Sequence, residues 1–297
     1  MEASVSAVIV TYNRKVLLER CLSAVLGQTR APDRVIVVDN ASTDGTEAHL
    51  RSLGMLDILP VAYVRLNENT GGAGGFFEGT KRAYEGGCSH CWLMDDDGVP
   101  DKDCLERLLR VVDGGAIHYA APNLIADDGK SHFAQIISAA KTDVIGFKGG
   151  PFNGILISAT LVRAVGYPMK NYFIWGDEYE YTNRIQDAGF PMVMVGSAVH
   201  RHKSTKYSFA RCPRPYYLVR NWAYSIRLSK GLYLSKRVQV LQLTQVIVRL
   251  LFEGSIRLNF GQVAKVIHGL ADGLKSPLAA HQKECHWGGF GDSTKWQ

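Results

Sequence analysis

The sequence predicts an α/β protein: a mostly parallel, Rossmann-like sheet flanked by helices, with a helical extension at its C-terminal end. Three observations carry this. Short β-branched apolar runs alternate four times with helix-period stretches within the first hundred residues, a pattern that calls for parallel strands joined by helical crossovers. Each of those four runs ends in a polar cluster, and in a parallel sheet the four ends share the edge where ligands bind. Beyond Pro213 the strand signals stop and broad apolar helical faces begin.

Taken in order, Ser4 to Val10 is a buried strand that ends in Thr11-Tyr12-Asn13-Arg14. Val16 to Leu26 repeats its apolar residues at helical spacing. Arg34 to Val38 is the second strand and delivers Asp39-Asn40. Ser42 or Thr43 is expected to cap the next helix, with Asp44 and Glu47 in its first turn. Val61 to Leu66 is the third strand. It runs into Asn67, Asn69 and the glycines 71, 72, 74 and 75, which open a helix through Tyr84. A glycine-rich helix start can bind a pyrophosphate, and Gly72 is a candidate for that contact. The same glycines can simply let the helix pack closely. The stretch lacks a P-loop lysine and does not follow the first strand, so an NTPase or dinucleotide site is a poor match. Trp92 to Met94 is the fourth strand and stops in Asp95-Asp96-Asp97-Gly98.

Three consecutive carboxylates repel one another and are costly to crowd together unless a cation sits among them. They can also form a solvated turn that caps the following helix. Further on, Asp103 to Val112 reads as a helix, Ile117 to Ala121 as a strand, and Asp127 to Lys130 as a turn. Phe152-Asn153-Gly154 precedes a strand, Ile155 to Ser158, and a helix begins near Ala159. The stretch Trp175-Gly176-Asp177-Glu178 places two acids at a helix start, where the dipole favours them. A carboxylate there, beside an aromatic, can also act as a general base toward a sugar hydroxyl. Glu180 and Arg184 are spaced to pair on one helix face. Met192 to Val195 is a late strand followed by His200 and His202, either of which can add a nitrogen ligand to the aspartate oxygens. Arg201, Lys203, Lys206 and Arg211 suit a diphosphate. Helices are expected over Tyr216 to Leu228, Val238 to Leu258 and Val263 to Leu274, followed by a loosely ordered tail through Trp287 and Gly291.

Composition narrows the class. With 46% hydrophobic and 21% charged residues, disorder and collagen-like repeats are excluded. No run is apolar for long enough to span a bilayer. The start lacks a basic, apolar leader, and six scattered cysteines suit a reducing cytoplasm. Cys88 and Cys91 have no second pair at zinc-finger spacing. The net charge of +6 conceals an asymmetry: residues 198–297 carry 16 Lys and Arg against 4 Asp and Glu. A basic C-terminal third suits an anionic membrane surface, a phosphate-rich ligand or a partner subunit in a homo-oligomer. No nucleic-acid-binding pattern is present.

Together, the Val10–Arg14, Val38–Thr46, Asn69–Gly75, Leu93–Asp97 and Trp175–Glu178 motifs resemble those of the family 2 glycosyltransferases. More closely, Gly71 to Phe76, Asp95 to Gly98, Phe152 to Gly154, Gly176 to Glu178 and Tyr217 to Asn221 look like the bacterial galactofuranosyltransferases. The resemblance covers about residues 4–230. It implies a GT-A fold, with a catalytic domain at about 1–212, whose halves (about 1–100 and 101–212) serve nucleotide-sugar and acceptor. Residues 213–297 would form the basic helical region. It also implies inverting transfer from a UDP-sugar, UDP-galactofuranose first, to a cell-envelope glycan or lipid-linked acceptor. Thr11, Tyr12, Asn13, Arg14, Asp39, Asn40, Asn69 and Gly72 would surround the nucleotide, with Asp95 and Asp96 beside it. Asp97, Asp96 and His200 would hold Mn²⁺ or Mg²⁺, with His202 as the rival ligand. Glu178, or alternatively Asp177, would be the base; the Asp-Glu order reverses the more frequent Glu-Asp of the wider family. Trp175, Phe152 and Asn153 would bind acceptor. Related rhamnosyltransferases share much of this pattern. A non-catalytic nucleotide-sugar-binding subunit of an envelope-glycan complex is the alternative outside enzymology, and the retained acidic positions argue against it. The implied location is the cytoplasm, peripheral on the membrane's inner face.

Overall fold

The computed structural model describes residues 3–57, 60–112, 114–203, 214–228, 235–255 and 260–275. Lys206, Arg211, the 212/213 boundary and the tail through Gly291 lie outside them. Among the described residues nine strands form one sheet: β1 (Val5–Thr11), β2 (Arg34–Asp39), β3 (Val61–Arg65), β4 (His90–Asp95), β5 (Gly98–Pro100), β6 (Tyr119–Ile125), β7 (Val144–Gly146), β8 (Ile155–Ser158) and β9 (Met192–His202). Their order is β3-β2-β1-β4-β8-β6-β9-β5, with β7 paired to β9. The first four strands are parallel, as the alternation requires. Beyond β4 the sheet is mixed: β8 runs antiparallel to both β4 and β6, while β6 and β9 are parallel.

Alternation along β1 feeds two separate cores. Val5, Ala7 and Ile9 face α1 (Lys15–Leu26) and α4 (Cys104–Val112). Val8 and Val10 face α3 (Gly71–Glu85), α6 (Ala159–Val165) and α7 (Asp177–Asp187). A strand buried on both faces can be apolar throughout, and all seven residues of β1 are buried. The glycines of α3 are mainly packing devices. A Cβ on Gly75 would lie 2.3 Å from Val10 Cγ1, and one on Gly79 2.2 Å from Val8 Cγ1. Gly72, in contrast, faces open space.

Several expectations are corrected. Neither Ser42 nor Thr43 caps α2 (Thr46–Ser52); Gly45 occupies that position, and Ser42 Oγ instead accepts from Asn13 N at 2.8 Å. The late strand extends to His202, because β5, short and unrecognised in the sequence, pairs with its far end. The excursion between β6 and β8 contains a short helix, α5 (Ala134–Ala139), and β7, neither marked by periodicity. Cys91 is buried in β4, with its sulfur 3.5 Å from that of Cys88.

The extension comprises α8 (Pro215–Leu228), α9 (Lys236–Ser255) and α10 (Phe260–Lys275). Val219, Ala223 and Ile226 of α8 pack with Leu243, Val246 and Leu250 of α9 and Val266 of α10. The other side of α8 meets the catalytic body, where Tyr224 packs with Ala73, Met169 and Tyr172. Among the described residues, no helix is long and apolar enough to cross a membrane.

Candidate active site

Register brings the polar strand ends together. Thr11 stands opposite Asp39, and Val10 opposite Asp95. Thr11 Oγ1 donates to Asp96 Oδ2 at 2.6 Å, and Arg14 Nη1 reaches Asp96 Oδ1 at 3.1 Å and Asp97 Oδ2 at 2.9 Å. Asp39 is fully buried; its oxygens accept from Ser42 N, Tyr63 Oη and Arg65 Nη1. Asn40 accepts from Thr70 N and Oγ1 and donates to Gly71 O, while Asn69 Oδ1 accepts from Gly71 N. Asn40 and Asn69 therefore fix the start of α3. Tyr12 is exposed at the rim. Asn13 has a φ of 53°, and its Oδ1 accepts from Thr43 N at 2.7 Å.

The three aspartates are unequal. Burial, then the charges of Asp97 and Asp96, hold the Asp95 carboxyl well above the usual carboxylate range. Asp96 is pushed up to about 6 by burial against the opposing pull of Thr11 and Arg14. Burial would raise Asp97 too, but His202 and Arg14 outweigh it and hold it low. Asp97 Oδ1 is buried, and its partner among the described residues is His202 Nε2, at 3.1 Å. Asp95, Asp97 and His202 each offer a ligand atom, all within 4.8 Å of one another. Two carboxylate oxygens and an imidazole nitrogen form a set that fits a hard or borderline divalent cation.

Two residues expected as metal ligands lie outside this grouping. Asp96 is turned away, both its oxygens being taken by Thr11 and Arg14. His200 is absent from the cluster among the described residues. It is completely buried beneath the strand carrying Gly98, and among the described residues neither ring nitrogen has a hydrogen-bond partner. Burial, then the neighbouring His202, lowers it to about 3, so it is neutral. The ladder explains the exchange: His202 stands opposite Gly98, one residue from Asp97, whereas His200 stands opposite Pro100.

The second set of acids opens α7. Asp177 is buried, and burial followed by the Glu178 charge pushes its carboxyl well above the ordinary range. Glu178 is only partly buried. The charge of Glu178 raises Asp95, and that of Asp95 raises Asp177, so the two acidic stretches lie within electrostatic reach of each other. Glu180 is spent on structure, bridged by Arg184 Nε at 2.6 Å and Nη2 at 2.9 Å. Asn13, Ala41, Phe173 and Trp175 have positive φ. All four flank this edge of the sheet, where strain commonly collects.

Trp175 is half-buried at the mouth of α7, with Arg214 stacked over its ring. Phe152 cannot stack on a sugar as expected. It is fully buried, edge-on to Phe76 and Tyr181. Asn153 lines a pocket of about 550 Å³ together with His132, Lys130, His202 and Lys203, and its Oδ1 is buried without a hydrogen-bond partner among the described residues. His132, on the unrecognised excursion, carried no motif to mark it. The sequence also placed no role on Asn221, whose side chain holds the loop before Asp177. An Arg-Asn pair inside a helix gave no local sign of what it faces.

Comparison with known proteins identifies the family and the fold. Residues 6–158 match the family model described as glycosyl transferase family 2. The galactofuranosyltransferase GlfT1 of Mycolicibacterium smegmatis is 33% identical over 216 residues, which is 67% of this chain and 70% of that protein. GlfT1 of Mycobacterium tuberculosis H37Rv is 31% identical over 218 residues, 68% of this chain and 71% of that one. Among solved structures, S. aureus TarS in complex with UDP superposes with a TM-score of 0.64 at 16% identity, covering 91% of this chain and 80% of that one. The shared architecture is the GT-A fold.

Proposed function

The chain belongs to glycosyl transferase family 2, and from that premise we propose that it transfers galactofuranose, with inversion, from UDP-galactofuranose to a hydroxyl of a cell-envelope glycan or lipid-linked acceptor. The donor-sugar reading is supported by its GlfT1 relatives. The observation that carries the chemistry is the grouping of buried Asp97 Oδ1 with His202 Nε2 and Asp95, at the edge reached by the charge of Glu178.

In this reading Asp95, Asp97 and His202 hold Mn²⁺ or Mg²⁺, which when bound supplies Lewis-acid neutralisation of the leaving diphosphate. Thr11 and Arg14 lock Asp96, and through it the turn that presents Asp95 and Asp97. Asp39, Asn40 and Asn69 shape the nucleoside floor, and open Gly72 leaves the first turn of α3 accessible to phosphate. Glu178 takes the proton from the acceptor hydroxyl as that oxygen attacks the anomeric carbon opposite the leaving group. Burial pushes the Asp177 carboxyl up, and Glu178 is the more exposed of the two, which favours Glu178 for the base role. Single displacement inverts the centre. Trp175 and Asn153 are the acceptor contacts. The basic helices rest on an anionic membrane leaflet, bringing the site to a lipid-linked acceptor.

The test is a donor screen by mass spectrometry with purified full-length protein, Mn²⁺ and a lipid-linked glycan acceptor. Transfer of a hexose from UDP-galactofuranose, abolished by chelation, is expected. Transfer from dTDP-rhamnose alone would overturn the donor assignment, and absence of transfer and hydrolysis with every donor would overturn the enzyme reading.

A further inference from the structure

We propose that Asn221 and Arg220 of α8 are positioning residues that set the candidate base in place, and that the C-terminal extension is thereby part of the catalytic unit. The proposal rests on the reading of Glu178 given above. The chain enters α7 through Tyr172, Phe173, Ile174, Trp175 and Gly176, and both Phe173 and Trp175 have a φ of 63°. Such conformations are unfavourable for bulky residues and persist only where the surroundings hold them.

Here the hold comes from α8. Asn221 is buried, and its Nδ2 donates to the carbonyls of Tyr172 at 3.0 Å, Ile174 at 2.8 Å and Trp175 at 2.6 Å. Its Oδ1 accepts from Arg220 Nε at 2.8 Å, which fixes the direction of the amide. Arg220 Nη2 donates to the carbonyls of Asn171 at 2.9 Å and Tyr172 at 2.7 Å. Two adjacent side chains thus bind four consecutive-region carbonyls directly ahead of Asp177-Glu178. The Phe173 ring also lies flat on Tyr217, with centroids 5.0 Å apart and planes at 19°.

The helix making these contacts is itself held from behind. Tyr216 Oη donates to Asp272 Oδ2 of α10 at 2.7 Å. A Cβ on Gly273 of α10 would lie 2.4 Å from Arg220 O, so the two helices touch backbone to backbone at the clamp. A side chain there must push α8 toward or along the loop. The path runs from α10 through Arg220 and Asn221 to the loop and so to Glu178.

The test compares full-length wild type with Asn221→Ala, Asn221→Asp and Gly273→Val, using hydrogen exchange of residues 171–178, UDP affinity in Mn²⁺, and transfer kinetics. Asn221→Asp keeps the shape but turns an acceptor oxygen toward three carbonyls. Exchange in 171–178 should rise about tenfold or more. kcat should fall on the order of 10²-fold, as small misplacements of a reacting group do, while donor KM and UDP affinity stay at wild-type values. Gly273→Val, outside the site, should show the same pattern more weakly, and it carries the test if Asn221→Ala does not fold. Unchanged exchange overturns the clamp, as does a fall in kcat matched by an equal loss of UDP affinity. Glu178→Gln is measured alongside. If it transfers at the wild-type rate, the base reading fails, and the exchange data still decide the clamp.

Discussion

His200 and His202 point the same way along one strand, and two residues of offset separate a side chain that meets Asp97 from one buried in the core. Loss of His202 should therefore weaken Mn²⁺ by at least the ~10–100-fold that even an outer-shell partner costs. His200→Ala should leave metal affinity unchanged and lower stability instead, as truncation of a buried side chain does. Metal titration of both variants checks this, and the reverse result would restore His200 as the ligand. Asp97→Ala should fold and bind no Mn²⁺, with transfer reduced by about 10²–10³-fold, the scale of removing one preorganised electrostatic group. For the acids at α7, Glu178→Gln should cost about 10²–10⁴-fold in kcat while keeping UDP affinity. A dead Asp177→Asn beside an active Glu178→Gln would exchange their roles. Asp177 also gives a stability prediction with a definite sign. Its folded-state pKa is raised, so the folded protein binds this proton more tightly than the unfolded chain. Its contribution is full below the unfolded value and is lost as pH rises through the folded one. Asp177→Asn should then gain stability relative to wild type at pH 8 compared with pH 5, in thermal melts without metal. A pH-independent difference would remove Asp177 as a buried proton holder.

At the scale of elements, the close seating of α3 on β1 depends on residues with no side chain. Gly79→Ala should cost about 1–3 kcal/mol, because its Cβ must displace Val8 in a filled core. A urea titration giving less than ~0.5 kcal/mol would mean that the helix lifts without penalty. Strand ends and buried runs were readable because burial on two faces writes itself as continuous apolar sequence, as in β1 and β4. The same logic made Asp39, Asn40, Asn69 and the aspartates legible as one edge. What failed to show locally was set by pairing. β5 is three residues long and exists through β9, and that ladder alone decides that His202 rather than His200 meets Asp97. Phe152 looked like a stacking platform beside Asn153, but burial against Phe76 and Tyr181 depends on α3 and α7, far away in sequence. The Asn221 contacts are likewise tertiary, since a helix-interior asparagine gives no sign of the carbonyls it will face.

For the molecule as a whole, charge and shape point the extension outward on one side and inward on the other. Its inner helix α8 packs on the body and on the loop before Asp177. Its outer helices leave Val240, Leu241, Val248, Ile267 and Leu274 exposed. Lys236, Arg237 and Lys265 are exposed on the same two helices. Apolar residues mixed with lysine and arginine, in a third of the chain with a large positive excess, are what an anionic leaflet attracts. The protein should cosediment with phosphatidylglycerol-containing vesicles at low salt and be released as ionic strength rises, because the attraction acts only within a Debye length. Each basic residue near such a surface contributes about 1 kcal/mol, so the double variant Lys236→Glu, Arg237→Glu should bind roughly 30-fold more weakly or worse. Its transfer to a water-soluble acceptor analogue should be unchanged, since neither residue belongs to the clamp on the base loop. Wild-type binding to neutral vesicles as strong as to anionic ones would replace the electrostatic account with a purely apolar one. A concentration-dependent dimer whose formation masks these helices, with no vesicle binding at all, would assign the surface to a second copy of the chain.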